Sequence, residues 1–144
     1  MLKESPERFV PDLVGRIDPA RPESLIVDLA TYQVFDADSA VVTLMYSNIA
    51  NSGLGIVVWN LEPGQENDFH FHPASEHLHV VLAGEAEYTL ADQAPVTVRV
   101  GQAVMVPANV RHGIRNVGTQ RCSYLAVTSP GEYQKVLADK GKRA

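Results

Sequence analysis

Short hydrophobic runs that alternate with turn residues dominate the chain from Ser24 onward. The runs are rich in Val, Ile, Leu, Tyr and Thr: LIVDL, TYQVF, AVVTLMY, LGIVVWNL, HLHVVL, AEYTL, VTVRV, AVMV and SYLAV. Turn signals such as NSG, EPG and SPGE separate them. Because each run has the length of a β-strand and the runs recur at short intervals, the pattern predicts an all-β sandwich or barrel.

The two ends of the chain depart from this pattern. Residues 1–23 contain four prolines, each of which fixes φ and removes a backbone donor, so this segment is predicted to be an extended N-terminal arm. The arm would pack on the body, cross to a partner subunit or remain mobile. Residues 132–140 place apolar side chains on one helical face, which predicts a short C-terminal helix. Residues 24–144 are therefore assigned to a single domain.

Composition limits the classes of protein to which the chain can belong. Its 144 residues suit one domain, and 45% hydrophobic with 20% charged residues is typical of a folded globular protein. A net charge of -5 gives no electrostatic reason to bind nucleic acid or an anionic membrane. Cys122 is the single cysteine, so no intrachain disulfide can form. Without an apolar run of membrane-spanning length or a signal-peptide pattern, we expect a cytoplasmic protein.

Four of the five histidines lie within ten residues, in the segment FHFHPASEHLHV. His70 and His72 are two residues apart, and so are His77 and His79, so on strands each pair points to one face. The PASE between the pairs is turn-like, which predicts two adjacent strands that each present two imidazoles. Buried imidazoles are costly unless each ring nitrogen has a partner, and a divalent metal satisfies several at once. We favour a metal site, with a surface histidine cluster as the alternative.

Two gapped motifs extend the histidine pattern. The first reads Gly64, five residues, His70-Phe71-His72, four residues, His77, six residues, Gly84. The second reads Gly101, five residues, Pro107-Ala108-Asn109, two residues, His112, three residues, Asn116. In this order and 16 residues apart, they resemble the two motifs of the cupin superfamily. The resemblance implies a double-stranded β-helix, a jelly-roll barrel, with one metal ion inside.

Two positions depart from the usual cupin pattern. Asn109 stands where Gly is usual, and Asn tolerates a positive φ better than most residues. His77 stands where Glu is usual. Glu76 is its neighbour, but the spacing to Gly84 and strand parity favour His77. The resemblance then implies a small cupin with a four-histidine site, whose metal ligands are His70, His72, His77 and His112.

An all-histidine site has a chemical consequence. Neutral ligands leave a divalent ion with a net charge near +2, which favours a small anionic substrate. Imidazole suits Fe, Mn, Ni, Cu and Zn, so the sequence does not determine the metal. Resemblance to cupin dioxygenases implies a metal-dependent oxygenase if two adjacent coordination positions are open. A non-redox isomerase, lyase or cyclase, and a ligand-binding cupin without turnover, are the alternatives.

His79 lies two residues beyond His77 on the same predicted strand face. One interpretation makes it the catalytic acid–base residue or proton shuttle beside the metal. The other makes it a side chain that fills space deeper in the barrel. Since ligand histidines must be neutral to bind a metal, we also expect metal affinity to fall as the pH drops through about 6.5.

The resemblance also implies a homodimer, since small cupins resemble one another in pairing this way. The N-terminal arm has too little apolar surface to fold alone. Crossing to the partner barrel would bury Phe9, Val10, Leu13 and Ile17 and would cover an exposed sheet edge. A mobile tail on a monomer is the alternative.

Overall fold

The computed structural model describes residues 3–11, 17–48, 50–130 and 134–139, and these are mostly β-structure. The strands in chain order are β1 (Glu7–Val10), β2 (Ala40–Asn48), β3 (Leu54–Leu61), β4 (Glu66–Phe71), β5 (Glu76–Ala83), β6 (Glu85–Leu90), β7 (Val96–Arg99), β8 (Ala103–Val106), β9 (His112–Arg115), β10 (Cys122–Ser129) and β11 (Val136–Leu137). Two 3₁₀ helices, Pro22–Leu25 and Leu29–Tyr32, lie between β1 and β2. The predicted all-β fold is confirmed.

The strands of the described residues form two sheets with one shared core. One sheet has the order β1-β2-β3-β10-β5-β8 and the other β11-β4-β9-β6-β7. Non-consecutive neighbours such as β3 and β10 mean that the chain crosses repeatedly between the sheets. Buried side chains from both sheets, including Trp59, Tyr88, Ile114 and Tyr124, form a single hydrophobic cluster. No helix in these ranges has the length and apolarity needed to cross a bilayer.

Alternation along β5 decides which of its side chains reach the interior. His77, His79 and Val81 are buried, whereas Glu76 is exposed, so the strand parity predicted for His77 is confirmed. The expectation that the two histidine strands would be adjacent is wrong. β4 pairs with β9 and β11, while β5 pairs with β10 and β8 in the other sheet. The two histidine pairs therefore enter the interior from opposite sheets, because the turn between them crosses from one sheet to the other.

Gly84 joins β5 to β6 at a point where only glycine fits. Its φ is +65°, a conformation that side chains disfavour, and an added Cβ would overlap the carbonyl oxygen of Arg121. The turn carries the chain from the first sheet to the second. This explains in physical terms why a glycine closes the first motif.

The predictions for residues near the two ends are partly corrected. The runs LIVDL and TYQVF do not form strands, because Pro22 begins a 3₁₀ helix there and Asp28 caps a second one by accepting a hydrogen bond from Ala30 N–H. The predicted C-terminal helix is wrong over residues 134–139, where β11 pairs with β4. The remainder of that prediction, including residues 132, 133 and 140, lies outside the described residues.

Part of the arm packs on the body of its own chain. β1 pairs in parallel with β2, with Glu7 opposite Ala40 and Val10 opposite Thr43. Ser5 adds side-chain and backbone hydrogen bonds to the carboxylate of Asp68. The sequence predicts that apolar residues of the arm are buried against a partner. Of these residues, Phe9 is 55% exposed within this chain, and Leu13 lies outside the described residues.

Candidate metal centre

Three histidines from two neighbouring strands bring their rings together inside the fold. β4 and β9 pair antiparallel with His70 directly opposite His112, and His72 follows the last residue of β4. The ring centroid of His70 lies 4.2 Å from that of His112 and 4.7 Å from that of His72. All three side chains are buried, and one nitrogen from each lies within 4.8 Å of the others. This is the arrangement required of three ligands to one ion.

Backbone carbonyls fix the orientation of these three rings. The Nδ1 atom of His70 contacts the carbonyl of Asp68, that of His72 lies 3.0 Å from the carbonyl of Gln134, and that of His112 lies 2.9 Å from the carbonyl of Val110. A carbonyl only accepts, so each Nδ1 carries the proton and donates it. Each Nε2 atom of a neutral ring is then left with a lone pair.

The Nε2 lone pairs converge, which makes the site suited to a cation. The Nε2 atoms of His70 and His72 are 3.1 Å apart, a distance at which two acceptors repel each other. The Nε2 atom of His112 is buried and has no hydrogen-bond partner among the described residues. An unpaired buried acceptor such as His112 Nε2 is costly, and one divalent ion could accept its lone pair together with those of His70 and His72. The residues present therefore fit a transition metal.

Burial keeps the imidazoles of the centre neutral. Burial lowers the pKa of His70 to about 2 and that of His112 to about 4, and it also lowers the pKa of His72. Hydrogen bonds to backbone carbonyls oppose these shifts without cancelling them. Neutral imidazole is the form that ligates a metal, so the folded chain presents the ligands ready to bind.

His77 lies beside the three-histidine cluster. Its ring stacks on His72, with centroids 4.1 Å apart and planes within 8° of each other, while its centroid is 6.1 Å from that of His112. Burial lowers its pKa to about 3. The described residues thus gather His70, His72 and His112 into one converging group that does not include His77. The fourth ligand stays a prediction.

His79 lies deeper, in a fully buried aromatic environment. Its Nδ1 atom and the hydroxyl of Tyr88 share a hydrogen bond of 2.9 Å, and its ring stacks on Tyr124 with centroids 4.9 Å apart. Burial raises the pKa of both tyrosines well above the usual value, so both hydroxyls stay protonated. A buried imidazole in contact with a protonated hydroxyl can hold and transfer a proton. The catalytic role predicted for His79 is compatible with this position and stays a prediction.

All five histidines line one small cavity. The remaining wall is formed by Val57, Trp59, Asn67, Ala126, Thr128 and Lys135. The free space is about 20 Å³, which is room for one ion or one water molecule, and the cavity is partly open. A larger ligand on the ion must therefore extend into this opening or displace part of the wall.

The family model described as the cupin domain matches residues 57–128, half of the chain, and this span contains all five histidines. The chain belongs to the cupin family.

The cupin matches two curated relatives at similar identity. It is 35% identical to protein SchB of Streptomyces halstedii over 79 residues and 34% identical to polyketide synthase CurC of Streptomyces cyaneus over 82 residues. These alignments cover 55% and 56% of this chain, and 55% and 51% of the relatives. The chain thus spans about half the length of the curated relatives it matches.

Solved structures share the fold of this chain. An uncharacterized conserved protein with a double-stranded β-helix domain from Klebsiella pneumoniae superposes with a TM-score of 0.76 at 26% identity, covering 85% of this cupin and 98% of that chain. Oxalate oxidase superposes with a TM-score of 0.65 at 19% identity, covering 78% and 63% of the two chains. At that identity the likeness shows the fold alone. The predicted cupin double-stranded β-helix is confirmed.

Asn109 occupies a position of the second motif where glycine is usual in cupins. Its φ is +68°, so the sequence expectation that Asn would tolerate this turn is confirmed. The Asn109 N–H donates a 2.8 Å hydrogen bond to the carbonyl of His72. The substitution therefore preserves the turn and links the second motif to a ligand of the first.

Sequence reasoning missed two residues of the centre, Gln134 and Lys135. Both lie outside the two cupin motifs, in the segment predicted to be helical. Gln134 acts through its backbone carbonyl, which no side-chain pattern can reveal. Lys135 reaches the cavity only because β11 pairs with β4, a long-range contact without a local sequence signal.

Proposed function

We propose that this cupin is a metal-dependent enzyme of the dioxygenase type that acts on a small anionic organic molecule. His70, His72 and His112 would hold one divalent transition metal ion, and His77 would be a fourth ligand. The observation that carries the proposal is the convergence of three buried Nε2 lone pairs whose rings are fixed by backbone carbonyls.

The charge of the ligand set supports an anionic substrate. Neutral imidazoles would leave the ion its full positive charge, and no carboxylate is among the described residues that line the cavity. A bound ion would polarise a substrate oxygen as a Lewis acid and, if redox-active, would also support oxygen chemistry. The chain's own contribution is to hold the ligands neutral in a cavity whose wall includes the apolar side chains of Val57 and Trp59.

A Lewis-acid isomerase, lyase or cyclase is the second candidate, and the position of His79 favours it. His79 lines the cavity and contacts the protonated hydroxyl of Tyr88, an arrangement able to move a proton within a buried site. One relative is named a polyketide synthase, and a polyketide carries carbonyl groups that a Lewis acid can polarise. In this case His79 would be the acid–base residue.

Metal binding is the first test of the proposal. Elemental analysis of the chain purified without added metal should find one ion per chain. His70→Ala and His112→Ala should weaken metal binding by at least about 100-fold, because each removes a converging ligand. His79→Gln is the matched control, since it alters a cavity histidine outside the converging group and should retain the metal. A metal content near zero in the wild type, or an equal loss in all three variants, would contradict the proposal.

The type of chemistry needs a separate measurement. Oxygen uptake by the iron-loaded protein with catechol and acetylacetone as probes should exceed that of His112→Ala under the same conditions. Stoichiometric zinc without oxygen uptake, together with loss of acetylacetone proton exchange in His79→Gln, would favour the Lewis-acid candidate instead. Tight binding of both probes without any turnover would leave a ligand-binding cupin and would overturn both enzyme assignments.

A further inference from the structure

Lys135 brings a positive charge to the wall of the histidine cavity. Among the described residues that line it, Lys135 is the only one with an ammonium or guanidinium group. Its side chain is only 15% exposed. A mostly buried ammonium beside a cavity without lining carboxylates can pair with an anion that enters the cavity, since few water molecules screen its charge.

The backbone on both sides of Lys135 is tied to the strand that carries the ligands. Before it, the Gln134 carbonyl accepts the hydrogen bond from His72 Nδ1. After it, Val136 and Leu137 pair with Phe71 and His70. The ammonium is therefore held in a fixed relation to the metal centre.

Two carboxylates of the N-terminal arm already occupy the ammonium. The Nζ atom of Lys135 donates to Glu4 Oε1 at 3.0 Å and to Asn67 Oδ1 at 3.0 Å, and lies 3.4 Å from Glu7 Oε2. It also lies 5.4 Å from the ring centre of Trp59. The side chains of Glu4 and Glu7 are 43% and 33% exposed, so their carboxylates can be hydrated when they leave the ammonium. Lys135 is thus already paired with carboxylates of the chain, and a carboxylate of a ligand would compete with them.

We propose that Lys135 determines specificity for substrates that carry a carboxylate in addition to the oxygen that reaches the metal. The inference rests on the proposed function and names its substrate class. The substrate carboxylate would replace Glu4 and Glu7 at the ammonium, and the two glutamates act as internal competitors. Lys135 is a binding residue in this proposal and takes no part in bond making.

Two probes separate this role from metal binding. Catechol can bind through its two oxygens alone, whereas protocatechuate adds a remote carboxylate to the same ring. By calorimetry on the metal-loaded protein, the wild type should bind protocatechuate more tightly than catechol. Lys135→Gln should weaken protocatechuate binding by about tenfold or more and leave catechol binding and metal content unchanged. Lys135→Arg, which keeps the charge, should restore most of the preference.

Further variants control for nonspecific charge effects. The Glu4→Gln/Glu7→Gln double variant removes the internal competitors and should tighten protocatechuate binding. Arg99→Gln removes one positive charge from an exposed strand remote from the cavity lining and should change neither affinity. Equal affinity of wild type and Lys135→Gln for protocatechuate would overturn the role of Lys135 and leave the metal centre standing. Absence of metal from the wild type would overturn both proposals.

Discussion

Burial decides the protonation state of the histidines, and this changes the expected response to pH. An ordinary histidine titrates near pH 6.5, and the sequence alone therefore predicts weaker metal binding below that value. In the folded chain, burial lowers the pKa of His77 to about 3 and that of His112 to about 4. With these lowered pKa values the ligands would stay neutral well below pH 6.5, so for the folded protein the structure predicts a weaker pH dependence than the sequence does. Its metal affinity should stay nearly constant from about pH 7 to about pH 5.

The cost of these lowered pKa values appears in the stability of the metal-free protein. Between about pH 6.5 and the folded pKa values, the unfolded chain binds more protons than the folded chain, so stability falls as the pH drops. For each such histidine, the free energy of unfolding falls by about 2 kcal/mol as the pH drops from 6.5 to 5. Urea denaturation at about pH 7 and about pH 5 measures the loss. His77→Gln, with one titrating group fewer, should lose about 2 kcal/mol less. Equal stability of the wild type at both pH values would refute the argument.

At the scale of the elements, local pattern predicted the central strands and failed where long-range pairing decides. AVVTLMY, LGIVVWNL and HLHVVL became β2, β3 and β5 because their alternation matches a sheet with one buried face. β11 has only two residues and forms because β4 offers a free edge, which explains why the helical periodicity at the C-terminal end misled. The three converging histidines were predictable from the motif spacing. The carbonyl of Gln134 was not, since a backbone acceptor has no side-chain signature.

The C-terminal segment is predicted to support the metal centre. Ending the chain before Gln134 removes the acceptor of His72 Nδ1 and the β11 pairing. Loss of a hydrogen-bond partner of a ligand typically costs about 10–100-fold in metal affinity, and we expect a loss in that range, measured by competition with a chelator. Gln134→Ala is the matched control, because it keeps the carbonyl and should bind metal like the wild type. An unchanged affinity of a folded shortened chain, with folding checked by circular dichroism, would show that His72 needs no support from this segment.

On the scale of the whole molecule, the N-terminal part of the chain exposes a sheet edge and several apolar side chains. β1 is the terminal strand of the first sheet, so one side of its backbone is not paired with another strand of the described residues. Phe9 on β1 is 55% exposed, and Leu25 and Ile26, between β1 and β2, are 52% and 87% exposed. Exposed apolar side chains and an open strand edge are both typical of surfaces that another chain covers. A second copy of this cupin is the partner that the sequence resemblance favours.

We therefore expect a homodimer in solution that depends on the arm. The pairing of β1 with β2 within one chain can equally be made between two chains, because exchange of an identical segment preserves every hydrogen bond of the pair. Light scattering should find the full chain at twice its 15.7 kDa mass. A chain that begins at Ser24 should be monomeric and less stable, since it exposes the edge of β2.

Ile26→Asp in the full chain keeps the arm and tests the contribution of an exposed apolar side chain alone. This variant should shift the equilibrium toward monomer. If the full and shortened chains are both monomers of equal stability, the arm has no role in assembly. If the full chain is a monomer and the shortened chain is less stable, the arm stabilises only its own barrel and the homodimer is excluded.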